Sequence, residues 1–339
     1  MSSYKYKSIL APYISKLLDL KKSAGVDLVS ISYTLRTFDN YLCKINQEDP
    51  HLDSKFFIKW HSSLLNDSPG TIRNKFSVWR QLTSLMRRYG CICYIPEIPK
   101  NLKSDFSPYI YTKEQIHSIF LTCDRLALQS HNSNSALFAM PSLFRLLYST
   151  GMRVSEAISL KNKDINFDQH YIHLRETKND HERLIPLCKS MEDVLIQYID
   201  YRKKLKVRGM ESSNHLFFVK TNGTKISHYS VGVYFHNVLE ELGVVRTGRK
   251  EGPRVHDIRH TQAVHALAKM ANEGIDIYTG LIYLSHSLGH LSVSSTNTYV
   301  RLTQAMYPEI NKQLSSYHEA IYQKLINKSI NYELKNRFR

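Results

Sequence analysis

The sequence predicts a mainly α-helical protein with a small antiparallel β-sheet, divided between two domains. Apolar residues recur at the spacing of amphipathic helices throughout residues 8–90. Pro96, Pro99 and Pro108 follow at a spacing that no helix tolerates, which marks a domain boundary. Within residues 170–187, two segments of alternating apolar and polar residues flank a turn, the pattern of a β-hairpin. A length of 339 residues agrees with about two domains.

The first predicted domain spans residues 1–95 and contains four helices. The fourth helix begins after Pro69, where Ser68 or Thr71 can cap it, and it ends near Tyr89. Each helix has one apolar stripe, which is typical of helices that pack around a shared core. The stripes comprise Ile9, Tyr13, Leu17 and Leu20; Leu28, Ile31, Leu35, Phe38 and Leu42; Phe56, Trp60 and Leu64; and Ile72, Phe76, Trp79, Leu82 and Met86.

The fourth helix also has a basic stripe. Arg73, Arg80 and Arg87 recur every seven residues, so they share one face of the helix, and Lys75 joins them. A solvated polar face would explain such a stripe, but solvated faces usually mix both signs of charge. Acidic residues are absent from residues 71–94, which favours a face that contacts phosphates.

The rest of the chain comprises a predicted linker over residues 96–111, a second domain over 112–306 and a helical tail over 307–339. The second domain opens with a capping box, in which Thr112 caps a helix and Gln115 lies three residues on. Outside the hairpin it is mostly helical. The predicted helices cover residues 113–130, 135–150, 153–160, 191–205, 229–242, 258–271 and the 280s onward.

The charge of the chain points to a polyanionic partner. Lys and Arg number 46 and Asp and Glu number 30, which gives a net charge of +16. Such a surplus repels itself in a compact fold, so we expect nucleic acid to neutralise it, with an anionic membrane surface as the second choice. A composition of 42% apolar and 22% charged residues argues against a disordered chain. No apolar run is long enough to span a membrane, and we expect a cytoplasmic protein.

The cysteines predict neither a disulfide framework nor a metal site. Five cysteines in a chain of this length are too few for a disulfide-stabilised fold. Cys91 and Cys93 form a C-x-C pair, but no second pair of cysteines or histidines lies near them. We therefore expect reduced thiols and no metal ligands.

Four short segments contain residue types that serve phosphate chemistry. None is specific alone, because arginine, histidine and tyrosine are common and HxxR often starts a structural helix. Their order along the chain is the stronger signal. The segments are 149–157 with Arg153 and Glu156, the hairpin turn with Lys178, 256–260 with His256 and Arg259, and 288–301 with His290 and Tyr299.

In this order the four segments resemble the motif boxes of the tyrosine recombinases, also called the phage integrase family. The resemblance covers about residues 111–310 and implies a catalytic domain there. The N-terminal helices resemble the family's core-binding (SAM-like) domain in length, pattern and charge. The matching boxes are residues 150–160, 177–187, 256–261 and 288–299.

The resemblance implies a site-specific recombinase or integrase that cuts and rejoins DNA through a 3′-phosphotyrosyl intermediate. Such a link conserves the energy of the broken bond, so no ATP, metal or other cofactor is expected. Guanidinium groups are always charged and can bind two phosphate oxygens at once. The implied roles are Tyr299 as nucleophile, Arg153 and Arg259 as the phosphate clamp, Lys178 as general acid, His256 and His290 as donors to the phosphate or carriers of the tyrosyl proton, and Glu156 as support for an arginine.

One departure from the family pattern is the distance from Arg259 to His290, which spans 31 residues and is longer than usual. An insertion around residues 273–287 would lengthen a helix or a loop. His286 is a rival for the role of His290, but the LGH context and the spacing to Tyr299 favour His290.

Two further residues near the motifs need an interpretation. Tyr307 is an alternative nucleophile, although Pro308 follows it directly. His260, the last residue of the HxxRH segment, is interpreted as a structural neighbour of the site.

We expect the partner to be double-stranded DNA, bound by a homo-tetramer on a synapse of two sites and associated with the nucleoid. The resemblance implies exchange of the tail between subunits and no arm-binding domain before residue 8. Arg246, Arg249 and Arg254 are candidate DNA contacts in the second domain, although residues 246–254 also fit a flexible basic loop. Two other functions remain open, a type IB topoisomerase that relaxes supercoils and a catalytically inactive DNA-binding relative.

Overall fold

The computed structural model divides into two compact units, Met1–Phe106 and Ser107–Arg339. No helix in the part of the chain that it describes is long and apolar enough to cross a membrane. The structure describes residues 4–100, 107–128, 135–175, 182–244, 252–290 and 296–310.

The first unit is helical, as the sequence predicts. Its fourth helix begins at Pro69, and the Ser68 side chain accepts a hydrogen bond from the Thr71 backbone N–H, so the predicted cap is confirmed. Phe38, Trp60 and Trp79 are buried together at the centre, where their rings pack edge to face. Over residues 4–100 the helices are α1 (Ala11–Ser23), α2 (Val29–Lys44), α3 (Ser54–Ser62) and α4 (Pro69–Arg88).

The second unit is mainly helical and contains one small sheet. Gln115 and Thr112 exchange the hydrogen bonds of the predicted capping box at its first helix. The helices are α5 (Lys113–Leu128), α6 (Met140–Thr150), α7 (Val154–Ala157), α8 (Lys189–Lys203), α9 (His228–Glu241), α10 (Val255–Asn272), α11 (Ile277–Leu288) and α12 (Thr298–Met306), with short 3₁₀ turns at Leu137–Ala139 and Asn162–Asp164.

The sheet confirms the predicted hairpin and adds a strand to it. β2 (Tyr171–Leu174) and β3 (Arg183–Pro186) pair antiparallel with Ile172 opposite Ile185. A two-residue strand, β1 (Ile165–Asn166), pairs with the other edge of β2. The sequence analysis missed β1 because two residues are too few to produce a detectable alternation.

Helix α10 connects the parts of the second unit. It packs against α6 on one side and against α11 and α12 on the other. Its apolar residues share a buried cluster with α11 and α12, and this cluster includes Tyr299. The segment with the HxxRH motif is therefore fixed to the segments with the LGH motif and the tyrosine by one continuous core.

Asp39 of α2 holds the start of the chain against the first unit. Its carboxylate is fully buried and accepts hydrogen bonds from the backbone N–H groups of Lys7 and Ser8, at 3.0 and 2.9 Å, and from the Tyr4 hydroxyl at 3.0 Å. A charged acceptor shared by several donors is worth more than a neutral one.

We predict that Asp39→Ala lowers the free energy of unfolding of the first unit by about 2–3 kcal/mol, because these donors lose their acceptor. Both tryptophans of the chain, Trp60 and Trp79, lie in this unit, so urea unfolding followed by tryptophan fluorescence reports it in the full chain. Asn40→Ala is the control, since Asn40 is an exposed second partner of Tyr4. Equal losses in the two variants would contradict the prediction.

Candidate active site

The turn between α6 and α7 brings the chain close to two other segments. Gly151 ends α6 with a left-handed φ of 64°, a conformation that glycine adopts without strain. A Cβ atom at this position would lie 2.5 Å from Gln262 Oε1 and 2.8 Å from a terminal carbon of Leu288, so these side chains would have to shift. The turn places Arg153 at the start of α7.

Glu156 holds two arginines. It accepts from the Arg153 backbone N–H and from Arg153 Nη1, each at 2.8 Å, which closes a capping box at α7. The same carboxylate binds Arg183 of β3 through Nη2 at 2.8 Å and Nη1 at 3.2 Å. Burial alone would raise the pKa of Glu156, but the hydrogen bonds from Arg183 and Arg153 outweigh it and lower this pKa. Glu156 therefore carries a negative charge.

Arg183 also joins β3 to the end of α11. Its Nε donates to the Ser287 carbonyl at 3.0 Å, and its guanidinium lies against Gly289, where a Cβ atom would come within 2.8 Å of Nη1. The side chain is buried. Arg183 thus fixes both Glu156 and the turn that precedes His290.

Arg259 of α10 connects the same turns from the opposite direction. It is 3% exposed, and it donates from Nη1 to the Gly151 carbonyl and from Nη2 to the Leu288 carbonyl, each at 2.8 Å. Burial and the charge of Arg153 lower the pKa of Arg259 to about 10, so it remains protonated at neutral pH. Its orientation is set by two carbonyl oxygens rather than by a carboxylate.

The ring of His290 is fixed between Arg259 and Thr296. Its Nε2 lies 3.0 Å from Arg259 Nη2, and its Nδ1 lies 2.8 Å from Thr296 Oγ1. A guanidinium can only donate, so Nε2 accepts, and the neutral ring carries its proton on Nδ1 and donates it to Thr296. Burial and then the positive charge of Arg259 lower the pKa of His290 to about 4.

The hydroxyl of Tyr299, on α12, lies next to His260 and near Arg259. The residue is 3% exposed, and its ring stacks on that of His290 with an interplanar angle of 15°. Its oxygen Oη lies 2.9 Å from His260 Nδ1 and feels the positive charge of Arg259. Burial raises the pKa of Tyr299, while the charges of Arg259 and Arg153 act against this increase. The hydroxyl is protonated at neutral pH.

The structure corrects the interpretation of His260 as only a neighbour of the site. Its imidazole contacts the tyrosine hydroxyl directly, and burial, followed by His256 and Arg259, lowers its pKa to about 3. His256 lies one helical turn earlier, and the two rings meet edge to face at 4.9 Å. Loss of hydration and the charges of Arg259, Arg254 and Arg153 lower the pKa of His256 to about 4, although the side chain still reaches solvent.

The two rival residues lie elsewhere. Tyr307 packs near His265 on another face of α10, with ring centroids 6.3 Å apart. His286 is exposed on α11. The long spacing from Arg259 to His290 comprises the remainder of α10, a connection over residues 273–276 and α11.

An open cleft of about 660 Å³ adjoins Arg153 and His256. Helix α9 contributes His228, the highly exposed Tyr229 and His236 to its wall. Arg254 lines the cleft at the start of α10. Its backbone N–H donates to Asp257 at 2.8 Å, and its guanidinium lies 3.6 Å from the same carboxylate. Of the two arginines that bind Glu156, Arg153 lines this cleft.

The basic stripe on α4 lies in the first unit. Arg80 and Arg87 are exposed, and Arg73 is half-buried. Lys75 binds Asp67 at 2.6 Å, which reduces the charge it can offer to a phosphate. Three other predicted site residues, Lys178, Arg246 and Arg249, lie outside the described residues.

The chain matches the model of the phage integrase family over residues 110–306. Among its relatives, tyrosine recombinase XerA of Pyrococcus horikoshii is 27% identical over 277 residues, which cover 80% of this chain and 83% of XerA.

Solved structures share the fold. XerH site-specific recombinase bound to difH substrate matches with a TM-score of 0.60 at 20% identity, over 87% of this chain and 84% of XerH. A fragment of the Tn1549 transposon integrase in complex with transposon right end DNA matches with a TM-score of 0.62 at 17% identity, over 85% of this chain and 94% of the fragment. Because the family model covers more than half of the chain, the protein belongs to the phage integrase family and is a tyrosine recombinase.

Proposed function

We propose that this recombinase cleaves and rejoins specific DNA sites through a covalent link between Tyr299 and a 3′ phosphate. The observation that carries the proposal is the contact of Tyr299 Oη with His260 of the same chain at 2.9 Å, at a position where the charges of Arg259 and Arg153 act on the hydroxyl. The nucleophile needs no other subunit to reach the positive charges. A DNA phosphate in the cleft would complete the site.

Arg153 and Arg259 would bind the non-bridging oxygens of that phosphate. The carbonyl groups of Gly151 and Leu288 fix the plane of the Arg259 guanidinium, and Glu156 fixes Arg153. Donors that are oriented before the reaction stabilise the charge that develops on the pentavalent phosphorus, each by about 10²–10³ in rate. The other N–H groups of Arg259 remain for Tyr299 and the phosphate.

The leaving 5′ oxygen needs a proton. We assign its donation to Lys178, between β2 and β3, on the sequence resemblance. His256 lies at the cleft mouth beside Arg153 and would donate to a phosphate oxygen, because an adjacent anion raises the pKa of an imidazole. No step in this scheme requires ATP, because the tyrosyl ester keeps the energy of the broken bond.

We further propose that four copies act together on a synapse of two DNA sites on nucleoid DNA in the cytoplasm, including sites that belong to mobile elements. The chain's charge of +16 and the exposed Arg80 and Arg87 of α4 support double-stranded DNA as the partner. The XerH and Tn1549 structures, which share the fold, are themselves DNA complexes.

We predict that the wild-type protein forms a covalent adduct with a nicked suicide substrate made from DNA that flanks its gene, and that Tyr299→Phe forms none. Tyr307→Phe is the control and should react at the wild-type rate, because Tyr307 lies against His265, away from the arginines. An adduct that persists in Tyr299→Phe contradicts the proposal. Relaxation of a site-free plasmid without recombinants would indicate a topoisomerase instead.

We predict that Glu156→Gln slows adduct formation at least about 10-fold and lowers the free energy of unfolding by about 3 kcal/mol, since two arginines lose their counter-charge. Glu192→Gln is a matched control, because Glu192 is equally buried but binds the exposed His170. Adduct formation in single turnover and thermal unfolding measure the two effects. An equal loss of cleavage in both variants would argue against the support of Arg153 by Glu156.

We predict that the double substitution Arg80→Ala and Arg87→Ala reduces the slope of log Kd against log salt concentration by about two, one for each lost phosphate contact. Lys75→Ala should change this slope far less, because Asp67 already pairs with Lys75. Binding titrations at several salt concentrations give the slopes. If both proteins keep the wild-type slope, the stripe on α4 does not contact DNA.

A further inference from the structure

Two imidazoles, those of His260 and His290, lie next to the ring of Tyr299, but the structure gives them different hydrogen bonds. His290 uses Nε2 for Arg259 and Nδ1 for Thr296, so neither nitrogen is free to take a proton. Its ring also lies parallel to the tyrosine ring rather than edge-on to the hydroxyl. Among the described residues, His260 is the imidazole whose nitrogen contacts Oη.

Resting on the proposed function of Tyr299, we propose that His260 is a further catalytic residue, the base that receives the tyrosyl proton. The Tyr299 hydroxyl lies 2.9 Å from His260 Nδ1, and the positive charge of Arg259 makes this hydroxyl the better proton donor, so we assign the shared proton to Oη and the lone pair to Nδ1. In this arrangement the neutral ring carries its own proton on Nε2.

The proposed step balances as follows. Tyr299 Oη forms a bond to phosphorus while the bond from phosphorus to the 5′ oxygen breaks. The tyrosyl proton moves to His260 Nδ1, and the 5′ oxygen takes a separate proton from the general acid. In rejoining, the 5′ hydroxyl attacks phosphorus and returns its proton to the deprotonated general acid, while the bond from phosphorus to Oη breaks and Oη recovers its proton from the His260 imidazolium.

The surroundings of His260 suit this role. Burial and neighbouring positive charges keep the ring unprotonated at neutral pH, so its lone pair is available. Transfer of the Tyr299 proton to a base as weak as His260 is unfavourable before Oη begins to bond to phosphorus. It becomes favourable as Oη bonds to phosphorus, since the phenolic proton is then far more acidic, and the DNA phosphate also stabilises the imidazolium.

The test is single-turnover adduct formation by His260→Asn in the full-length protein. Asparagine keeps a hydrogen-bonding group near the position of Nδ1 but cannot take the proton. We expect a rate about 100-fold below wild type at neutral pH, with unchanged DNA affinity. We also expect the variant's rate to rise about 10-fold per pH unit above neutrality, where hydroxide replaces the base, while the wild-type rate rises much less.

The matched control is His265→Asn. His265 lies on the same helix and its Nδ1 bonds a tyrosine hydroxyl, that of Tyr148, at 2.8 Å, outside the arginine cluster. This variant should cleave at the wild-type rate. A His260→Asn protein with a near-wild-type rate and the wild-type pH profile overturns the assignment. An adduct in Tyr299→Phe would instead refute the proposed function itself.

A second measurement uses the unaltered protein. Nuclear magnetic resonance of isotope-labelled histidine, with the His260 ring assigned by its proximity to Tyr299, reports which nitrogen carries the proton. We expect a neutral ring protonated on Nε2 down to about pH 5, below the ordinary histidine pKa. A proton found on Nδ1 would overturn the proposal, because that nitrogen would then donate to Oη rather than accept.

Discussion

Three arginines lie near a single carboxylate, that of Glu156, so positive charge exceeds negative charge at the centre of the site. The rest of the site depends on this excess. Arg153 and Arg183 both bind Glu156, whereas Arg259 is held by backbone carbonyls. Carbonyl oxygens accept two of the N–H groups of Arg259 without neutralising its charge. The folded protein therefore keeps a surplus of buried positive charge, which is costly without an anion nearby. A DNA phosphate is the anion that fits, so part of the binding energy comes from a charge that folding left uncompensated.

The same surplus sets the protonation of the histidines. Burial is the largest cause that lowers the pKa values of His256, His260 and His290, and the neighbouring positive charges lower these pKa values further. Neutral imidazoles accept hydrogen bonds, and His290 does so from Arg259. A phosphate that enters the site would offset this repulsion, and His256 and His260 would then be able to hold a proton, whereas both nitrogens of His290 are already hydrogen-bonded. Under the proposed mechanism, substrate binding would thus prepare the proton carriers that the reversible reaction needs.

Much of the fold could be predicted from the sequence because it rests on local patterns. The apolar stripe and the cap of α4 are encoded by residues within about twenty positions of one another, and the same holds for the alternating strands of the hairpin. The observed α10 starts at Val255, three residues earlier than its apolar pattern indicates, so His256 and Arg259 are both helical. The order of the motif segments, compared with a known family, identified residues that the structure brings together from separate parts of the chain.

What the sequence could not provide is the pairing between distant segments. Arg183 lies 27 residues from Glu156, and nothing in the alternation of β3 indicates that this inward arginine meets a carboxylate. His260 follows His256 by four residues, so helical spacing does place both on one face of α10. This face becomes part of the site because α12 places Tyr299 against it. Helices α10, α11 and α12 share the buried core that fixes this arrangement. Helical periodicity fixes which side chains share a face, but long-range packing decides which of them touches the reacting oxygen.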